Sequence, residues 1–453
     1  MFVGREKELK LLSEKLKKSG SAVLIYGKRK VGKTTLIKKY LEGSRKSVYF
    51  ECIKSSMEDN VAAMTAELVR EKIIPSMVAF ASFIDLFAYL NTLSFDLNVV
   101  IDEYPYLKSV EDSAQVDSVF QNIIDNRLKN ISLIISGSHV SVMKDLLEEG
   151  NSLYGRFASV ISLKELSYKE AAQFYFDRSS YDKIAFYSVF GGSPYINNQI
   201  EPSASLKENI IETILNENNA AYIYADNLLL SDYTNRINVE KICYALGNGR
   251  KRYGEIEVAL KLSKNGNLHK QLSVLMDMEL IKKENPINRL DDPKKSMYEI
   301  NDNLLRFFFK YVYRNKSALQ ILGAAAFYEE YIKNDLTTFI AHRFEEICRN
   351  YFASLAFAGK LPGIRNIGTF YYDDPANKKN GEFDIALQYA DSLSIYEAKY
   401  YKKMMTVSEM HKEAEQIREI PGIEVNKIGF IAVNGFENRE KGFTYITGDQ
   451  LYK

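Results

Sequence analysis

The sequence predicts an α/β chain whose first part is a parallel sheet with helices on both of its faces. Three observations carry this. Short apolar runs alternate with amphipathic helical stretches in the N-terminal third. The stretch Gly27-Lys28-Arg29-Lys30-Val31-Gly32-Lys33-Thr34 follows one such run directly, and another run ends in the paired acids Asp102-Glu103. In sheets of this kind, ligands collect at the carboxyl ends of the strands.

The elements follow in order. Phe2 to Leu9 lead into an amphipathic helix with Leu9, Leu12 and Leu16 on its inner side. Residues 22–26 are an apolar strand that runs straight into Gly27. The glycine-rich stretch fits G-x-x-x-x-G-K-[ST], a phosphate-binding loop. Its glycines allow a tight turn with the N–H groups pointing at phosphate oxygens. Lys33 supplies a mobile charge for the β- and γ-phosphates, and Thr34 a hydroxyl for Mg²⁺. A helix over 33–40 would add its positive end. A bare glycine turn ahead of a basic helix is the plain alternative.

Residues 47–52 read as a second strand, followed by helices at 60–72 and 83–93. Val99-Val100-Ile101 reads as a buried stem that would place Asp102 to hold Mg²⁺, directly or through water, and Glu103 to orient the attacking water; a strand ending in solvated acids is the plain alternative. Residues 131–135 form the next strand and close in Ser136-Gly137-Ser138. Ser138 is read either as a γ-phosphate sensor or as part of a turn. Residues 160–163 are a fifth strand.

Composition sets the bounds. The 453 residues are 46% hydrophobic and 26% charged, an ordinary globular balance with room for about three domains. Lys and Arg number 60 against 59 Asp and Glu, so any basic surface is local. Cys52, Cys243 and Cys348 lie far apart and His is scarce, which argues against zinc and for a reducing compartment. There is no evident signal sequence, and apolar runs such as 318–328 are too short to cross a bilayer. A cytoplasmic protein without a membrane partner is expected.

In order, the motifs FVGREKEL, GKRKVGKT, NVVIDE, LIISGS, Leu153-Tyr154-Gly155-Arg156-Phe157 and Gly191-Gly192-Ser193-Pro194-Tyr195 resemble those of the AAA+-related STAND ATPases. More narrowly, they resemble archaeal-type predicted ATPases with a C-terminal restriction-endonuclease-like domain. The resemblance implies a P-loop AAA+-like sheet of strand order 5-1-4-3-2, a helical lid at about 164–232, and ATP with Mg²⁺ as cofactors. It implies a nucleotide-binding set of Gly4, Arg5, Gly27, Lys28, Arg29, Lys30, Val31, Gly32, Lys33, Thr34, Thr35 and Ser138, with Gly4-Arg5-Glu6 near the adenine. Arg156 would contact the γ-phosphate of its own or a neighbouring subunit, or else be an ordinary surface residue. Many relatives carry an arginine after the sensor strand, where this chain has His139. A homo-oligomer and a protein trigger stay open.

Residues 235–311 resemble a winged helix. Helices are expected at 237–246, from Tyr253, and at 268–278, with 280–283 and 297–300 pairing as the wing. Lys251, Arg252, Lys270, Lys294 and Lys295 are a modest basic set for DNA; packing as a hinge is the alternative. The expected domains are 1–232, 233–315 and 316–453.

In the last domain, Glu382-Phe383-Asp384 and Glu397-Ala398-Lys399 resemble the D-x(n)-E-x-K pattern of the PD-(D/E)xK nucleases. Strict alternation puts Phe383, Ile385 and Leu387 on one face, and Leu393, Ile395, Glu397 and Lys399 on one face of the next strand. A four-residue loop at 389–392 pairs Gln388 with Leu393 and sets Asp384 opposite Glu397. Directly opposed like charges destabilise a sheet, whereas a divalent ion needs such a pair. Lys399 would then steady the attacking water, and the resemblance adds Glu345 as a further metal carboxylate. An exposed hairpin with scattered charges is the alternative. The function expected is an ATP-driven STAND switch coupled to a metal-dependent DNA nuclease; the alternative is an ATP-gated scaffold or DNA-binding regulator with an inactive nuclease fold.

Overall fold

Side chains alternate along β1 (Ser21–Tyr26): Ala22, Leu24 and Tyr26 enter one core, Val23 and Ile25 another. A strand buried on both faces belongs in the interior of a parallel sheet, with a neighbour on each side. In the computed structural model, which describes residues 1–43, 45–109, 113–227, 236–261, 267–374, 379–420 and 424–453, that is where it lies. The chain divides into two packed units: Met1–Leu166 with Ser193–Tyr195 and Asp277–Glu279, and the remainder.

In the first unit, β1 joins β2 (Ser47–Glu51), β3 (Leu97–Asp102), β4 (Ile131–Gly137) and β5 (Ser159–Ser162) in the order β2-β3-β4-β1-β5, all parallel. This is the implied order 5-1-4-3-2, read from the other edge. Helices Met57–Arg70, Phe83–Leu90 and Ser113–Asn126 bury Met64, Phe87 and Phe120 against one face. Ser56 and Ser82 cap the first two by accepting the N–H groups of Asp59 and Asp85. Helices Glu6–Lys15 and Lys33–Leu41 cover the other face through Leu12, Leu36 and Ile37. The C-terminal ends of β1, β3 and β4 therefore lie side by side.

In the second unit, β6 (Lys251–Arg252), β7 (Ile281–Glu284) and β8 (Met297–Ile300) form a small antiparallel sheet of order β6-β8-β7 beside helices Arg236–Gly247 and Tyr253–Leu260. The pairing expected of 280–283 with 297–300 is present, from Ile281 opposite Ile300 to Glu284 opposite Met297. The expected boundary at 232–233 falls outside the described residues.

A second five-stranded sheet follows: β9 (Asn366–Asp374), β10 (Lys379–Gln388), β11 (Leu393–Lys399), β12 (Val425–Ala432) and β13 (Phe443–Thr447), in the order β13-β12-β11-β10-β9. The first three strands are antiparallel, the last three parallel. Gln388 pairs with Leu393 as the loop length requires, and the ladder runs to Ile385 opposite Tyr396. The strict alternation along β10 is not what forms. The register against β9 shifts between Phe383 and Ala386, so Asp384 and Ile385 together face one residue of β9. This extra residue reverses the facing of everything before it. Phe383 therefore packs with Ala386 and Ile395, in a core closed by Met410, Ala414 and Ile417 of helix Val407–Arg418, and not with Ile385 and Leu387. Helix Leu336–Phe357 packs through Phe352, whose ring lies 4.5 Å from that of Tyr396.

Among the described residues, no helix is long and apolar enough to cross a membrane. Cys52, Cys243 and Cys348 are free and buried.

Candidate functional site

At the end of β1 the backbone itself dictates the residue. A Cβ on Gly27 would lie 2.2 Å from the Leu163 carbonyl oxygen, so only glycine fits. The loop then turns through Lys30 (φ 66°) and Gly32 (φ 98°) into helix Lys33–Leu41. The Lys33 ammonium is buried and donates to the carbonyls of Gly27 at 2.9 Å and Lys28 at 3.0 Å. Burial pushes its pKa down, against the pull of Glu103 and Asp102 and with a further push from Arg29.

Asp102 ends β3 as a hydrogen-bond hub. Its carboxylate accepts from Thr34 Oγ1 at 3.1 Å, from the Glu103 N–H at 3.0 Å, and from the hydroxyls of Tyr49 and Ser136. Burial and the adjacent Asp102 charge push the Tyr49 phenol pKa well up, so it stays a donor. Glu103 sits at φ 52°, in the left-handed region, and Ser138 grips its carboxylate through the N–H at 3.1 Å and Oγ at 2.8 Å. Lys33, Thr34, Asp102, Glu103 and Ser138 thus meet at one sheet edge. The motifs did not mark Tyr49; the signal was β2 lying beside β3, with Tyr49 opposite Val100.

Other nucleotide-set residues brace the loop from outside. Arg5, in the left-handed region at φ 73°, donates to the carbonyls of Val31 at 3.0 Å and Lys164 at 2.7 Å. Gly4, just before it, also takes a positive φ, 66°. Ser193 donates to the Lys30 carbonyl at 3.1 Å, Pro194 lies 3.4 Å from where a Gly32 Cβ would be, and Lys30 Nζ sits 4.3 Å over the Tyr195 ring. Lys28 faces Glu165 at 3.9 Å, and Arg29 reaches Tyr106 and His139, each at 3.5 Å. Val31 is buried and Thr35 exposed. Arg156 gives its guanidinium to both oxygens of Asp125 at 3.0 Å and to the Tyr154 carbonyl, none of them part of the phosphate loop.

The C-terminal carboxylates are differently arranged. Asp384 is raised to about 7 by burial and by Glu345 and Glu397, with Arg250 and Arg349 opposing. Arg250 lies 3.3 Å from Glu382 and 3.6 Å from Asp384, and Arg349 donates to the Asp384 carbonyl at 2.9 Å. Burial also raises Glu397, against Lys399, which bonds it at 2.7 Å and Glu413 at 3.0 Å. Glu345 lies 3.6 Å from His342. The bulge ends the β10–β11 ladder one pair short of Asp384 and Glu397. Among the described residues, no group of three His, Cys, Asp or Glu side chains is arranged to hold a metal ion. Arg250 and Glu413 carried no motif in the sequence.

Comparison with known proteins relates the N-terminal part of the chain to ATPases. Residues 2–198 match the family described as an ATPase domain predominantly from Archaea, and residues 308–417 a family of archaeal and bacterial proteins of unknown function. An uncharacterized protein of Methanocaldococcus jannaschii is 29% identical over 451 residues, 98% of each chain. An uncharacterized ATP-binding protein of the same organism is 46% identical over 46 residues, 10% of this chain and 78% of its own. Among solved structures, the Walker-type ATPase of Pyrococcus abyssi aligns with TM-score 0.51 at 17% identity, over 68% of this chain and 96% of that one, a likeness of fold. Residues 2–198 are thus similar to archaeal-type ATPase domains, and residues 308–417 to a family of unknown function.

Proposed function

We propose that the chain binds and hydrolyses ATP with Mg²⁺ as a STAND-type switch. One observation carries the reading: Lys33, Thr34, Asp102, Glu103 and Ser138 meet at the sheet edge, linked by hydrogen bonds of 3.1 Å from Thr34 to Asp102 and 2.8 Å from Ser138 to Glu103. In this reading Lys33 neutralises the β- and γ-phosphates, while Thr34 and Asp102, hard oxygen donors, hold Mg²⁺. Glu103 orients the attacking water, and Ser138 steadies Glu103. The test is binding of a fluorescent ATP analogue and turnover by the full chain. Lys33→Ala abolishes binding; Glu103→Gln binds but turns over about 10²–10⁴-fold more slowly. Unchanged affinity in a folded Lys33→Ala variant overturns the reading.

The domains proposed are an ATPase with helical lid at 1–232, a winged helix at 233–315 and a PD-(D/E)xK-like domain at 316–453. Support for a DNA partner comes from Arg252 and Lys294, which line one cleft, beside Lys295 stacked 3.6 Å over Tyr371. For the last domain, metal-dependent DNA cleavage by Asp384, Glu397 and Lys399, with Glu345, is one reading. A specific observation favours the other, a nuclease fold that binds without cutting: a cation already stands beside each of two carboxylates, Arg250 3.6 Å from Asp384 and Lys399 2.7 Å from Glu397. Wild type is then inert on DNA with Mg²⁺ or Mn²⁺. Cleavage that disappears in Asp384→Asn and Lys399→Ala restores the nuclease reading.

A further inference from the structure

The ATP site as described holds one buried lysine and no arginine from the expected quarter, because Arg156 is engaged by Asp125. The phosphate loop itself carries three further basic residues, and they point to different ends. Lys28 turns to Glu165, Lys30 to the Tyr195 ring, and Arg29 to the segment that carries Glu103. Tyr106 and His139 are each tied to that acid. Tyr106, 3.5 Å from Arg29 Nη2, donates its own N–H to the Glu103 carbonyl at 2.9 Å. His139, whose Nε2 is also 3.5 Å from Arg29 Nη2, directly follows Ser138, which grips the Glu103 carboxylate. The Tyr106 and His139 rings meet edge to face, 6.2 Å between centroids.

From this geometry we propose that Arg29 completes the ATP site in cis, as a catalytic residue on the γ-phosphate that Tyr106 and His139 position. The inference rests on the ATPase reading above. Arg29 and Lys33 stand close enough that the guanidinium helps depress the ammonium, a like-charge crowding that a bound triphosphate relieves. In the reaction the water oxygen bonds to the γ-phosphorus as the bond to the β,γ-bridging oxygen breaks. The electron pair leaves on ADP, and Glu103 takes the water proton before releasing it to solvent. Charge spreads over the equatorial phosphoryl oxygens, and a planar guanidinium meets two of them where an ammonium meets one. Supplied from the chain's own loop, this charge requires no neighbouring subunit.

The test is steady-state ATP hydrolysis by the full chain, with analogue affinity measured in parallel. Arg29→Ala lowers kcat about 10²–10³-fold while affinity stays within about threefold, and free guanidinium restores part of the rate. Arg29→Lys keeps the charge without the fork and falls about tenfold, which decides the matter should Arg29→Ala not fold. His139→Ala, a positioning change, costs less than Arg29→Ala. The wild-type rate per chain does not depend on protein concentration. Arg29→Ala and Arg29→Lys that turn over like wild type overturn the inference while the ATPase reading stands. So does a rate that climbs steeply with concentration and vanishes in Arg156→Ala. A wild type that neither binds nor hydrolyses ATP overturns both.

Discussion

Four donors converge on the Asp102 carboxylate and hold it beside Thr34. Tyr49→Phe removes one of them and leaves the ring. With a net hydrogen bond near 0.5–1.5 kcal/mol, we expect the Mg²⁺-dependent part of ATP binding to weaken about 2- to 12-fold, read by titrating Mg²⁺ at fixed analogue. Asp384 makes the second prediction. Its folded pKa, about 7, lies above the unfolded carboxyl value near 3.9. Stability from this group is therefore complete below the unfolded value and lost as pH rises through 7. Glu345, Glu397, Arg250 and Arg349 all face it and share in the effect. Asp384→Asn cannot ionise, so its Tm gains on wild type between pH 5 and 8; a constant difference counts against the raised pKa.

Among the elements, β8 is tied to its neighbours by one acid. Glu299 lies 3.0 Å from Lys282 of β7, 3.3 Å from Arg306 and 3.4 Å from Arg343 of helix Leu336–Phe357. Burial would raise Glu299, but Arg306 and Lys282 outweigh it and hold the carboxyl down to about 2. Its stabilisation is present above the unfolded pKa and is lost as pH falls through about 2. Glu299→Ala leaves Arg306 and Arg343 with Glu346 as their remaining acid, at 3.8 and 3.4 Å, so the loss stays below the ~3–5 kcal/mol of a fully broken buried pair, measurable by urea unfolding. Gly27→Ala is the matching test at β1. Its Cβ would meet the Leu163 carbonyl at 2.2 Å, so β1 or the end of β5 must shift, at about 1–3 kcal/mol by the same measurement.

Across the whole molecule, ligand binding and stability are linked. ATP with Mg²⁺ at about 100 times its Kd adds about 2.7 kcal/mol to a state that binds it, so the wild-type melt moves up with nucleotide and the Lys33→Ala melt does not. Equal shifts in both proteins would place the nucleotide elsewhere. The similarity to the Methanocaldococcus jannaschii protein runs over 98% of both chains, through the N-terminal and the C-terminal sheets alike.

Much of the geometry of the candidate site was legible from local sequence because each of its demands is local. A tight turn needs Gly27 and Gly32, a buried stem needs Val99 to Ile101, and β1 shows its two-sided burial in its own alternation. The hairpin register of Gln388 with Leu393 followed from a loop of four residues, again a local quantity. What tertiary structure alone decided came from strands and helices distant in sequence. The bulge at Asp384 exists only against β9, since it is a mismatch between two ladders that β10 cannot show by itself. Arg250 reaches Glu382 from more than a hundred residues upstream, and Tyr49 reaches Asp102 across neighbouring strands. Arg156 went to Asp125 and Arg29 to His139 for the same reason. A long cationic side chain takes whichever partner the packed backbone brings within reach, and periodicity does not encode that choice.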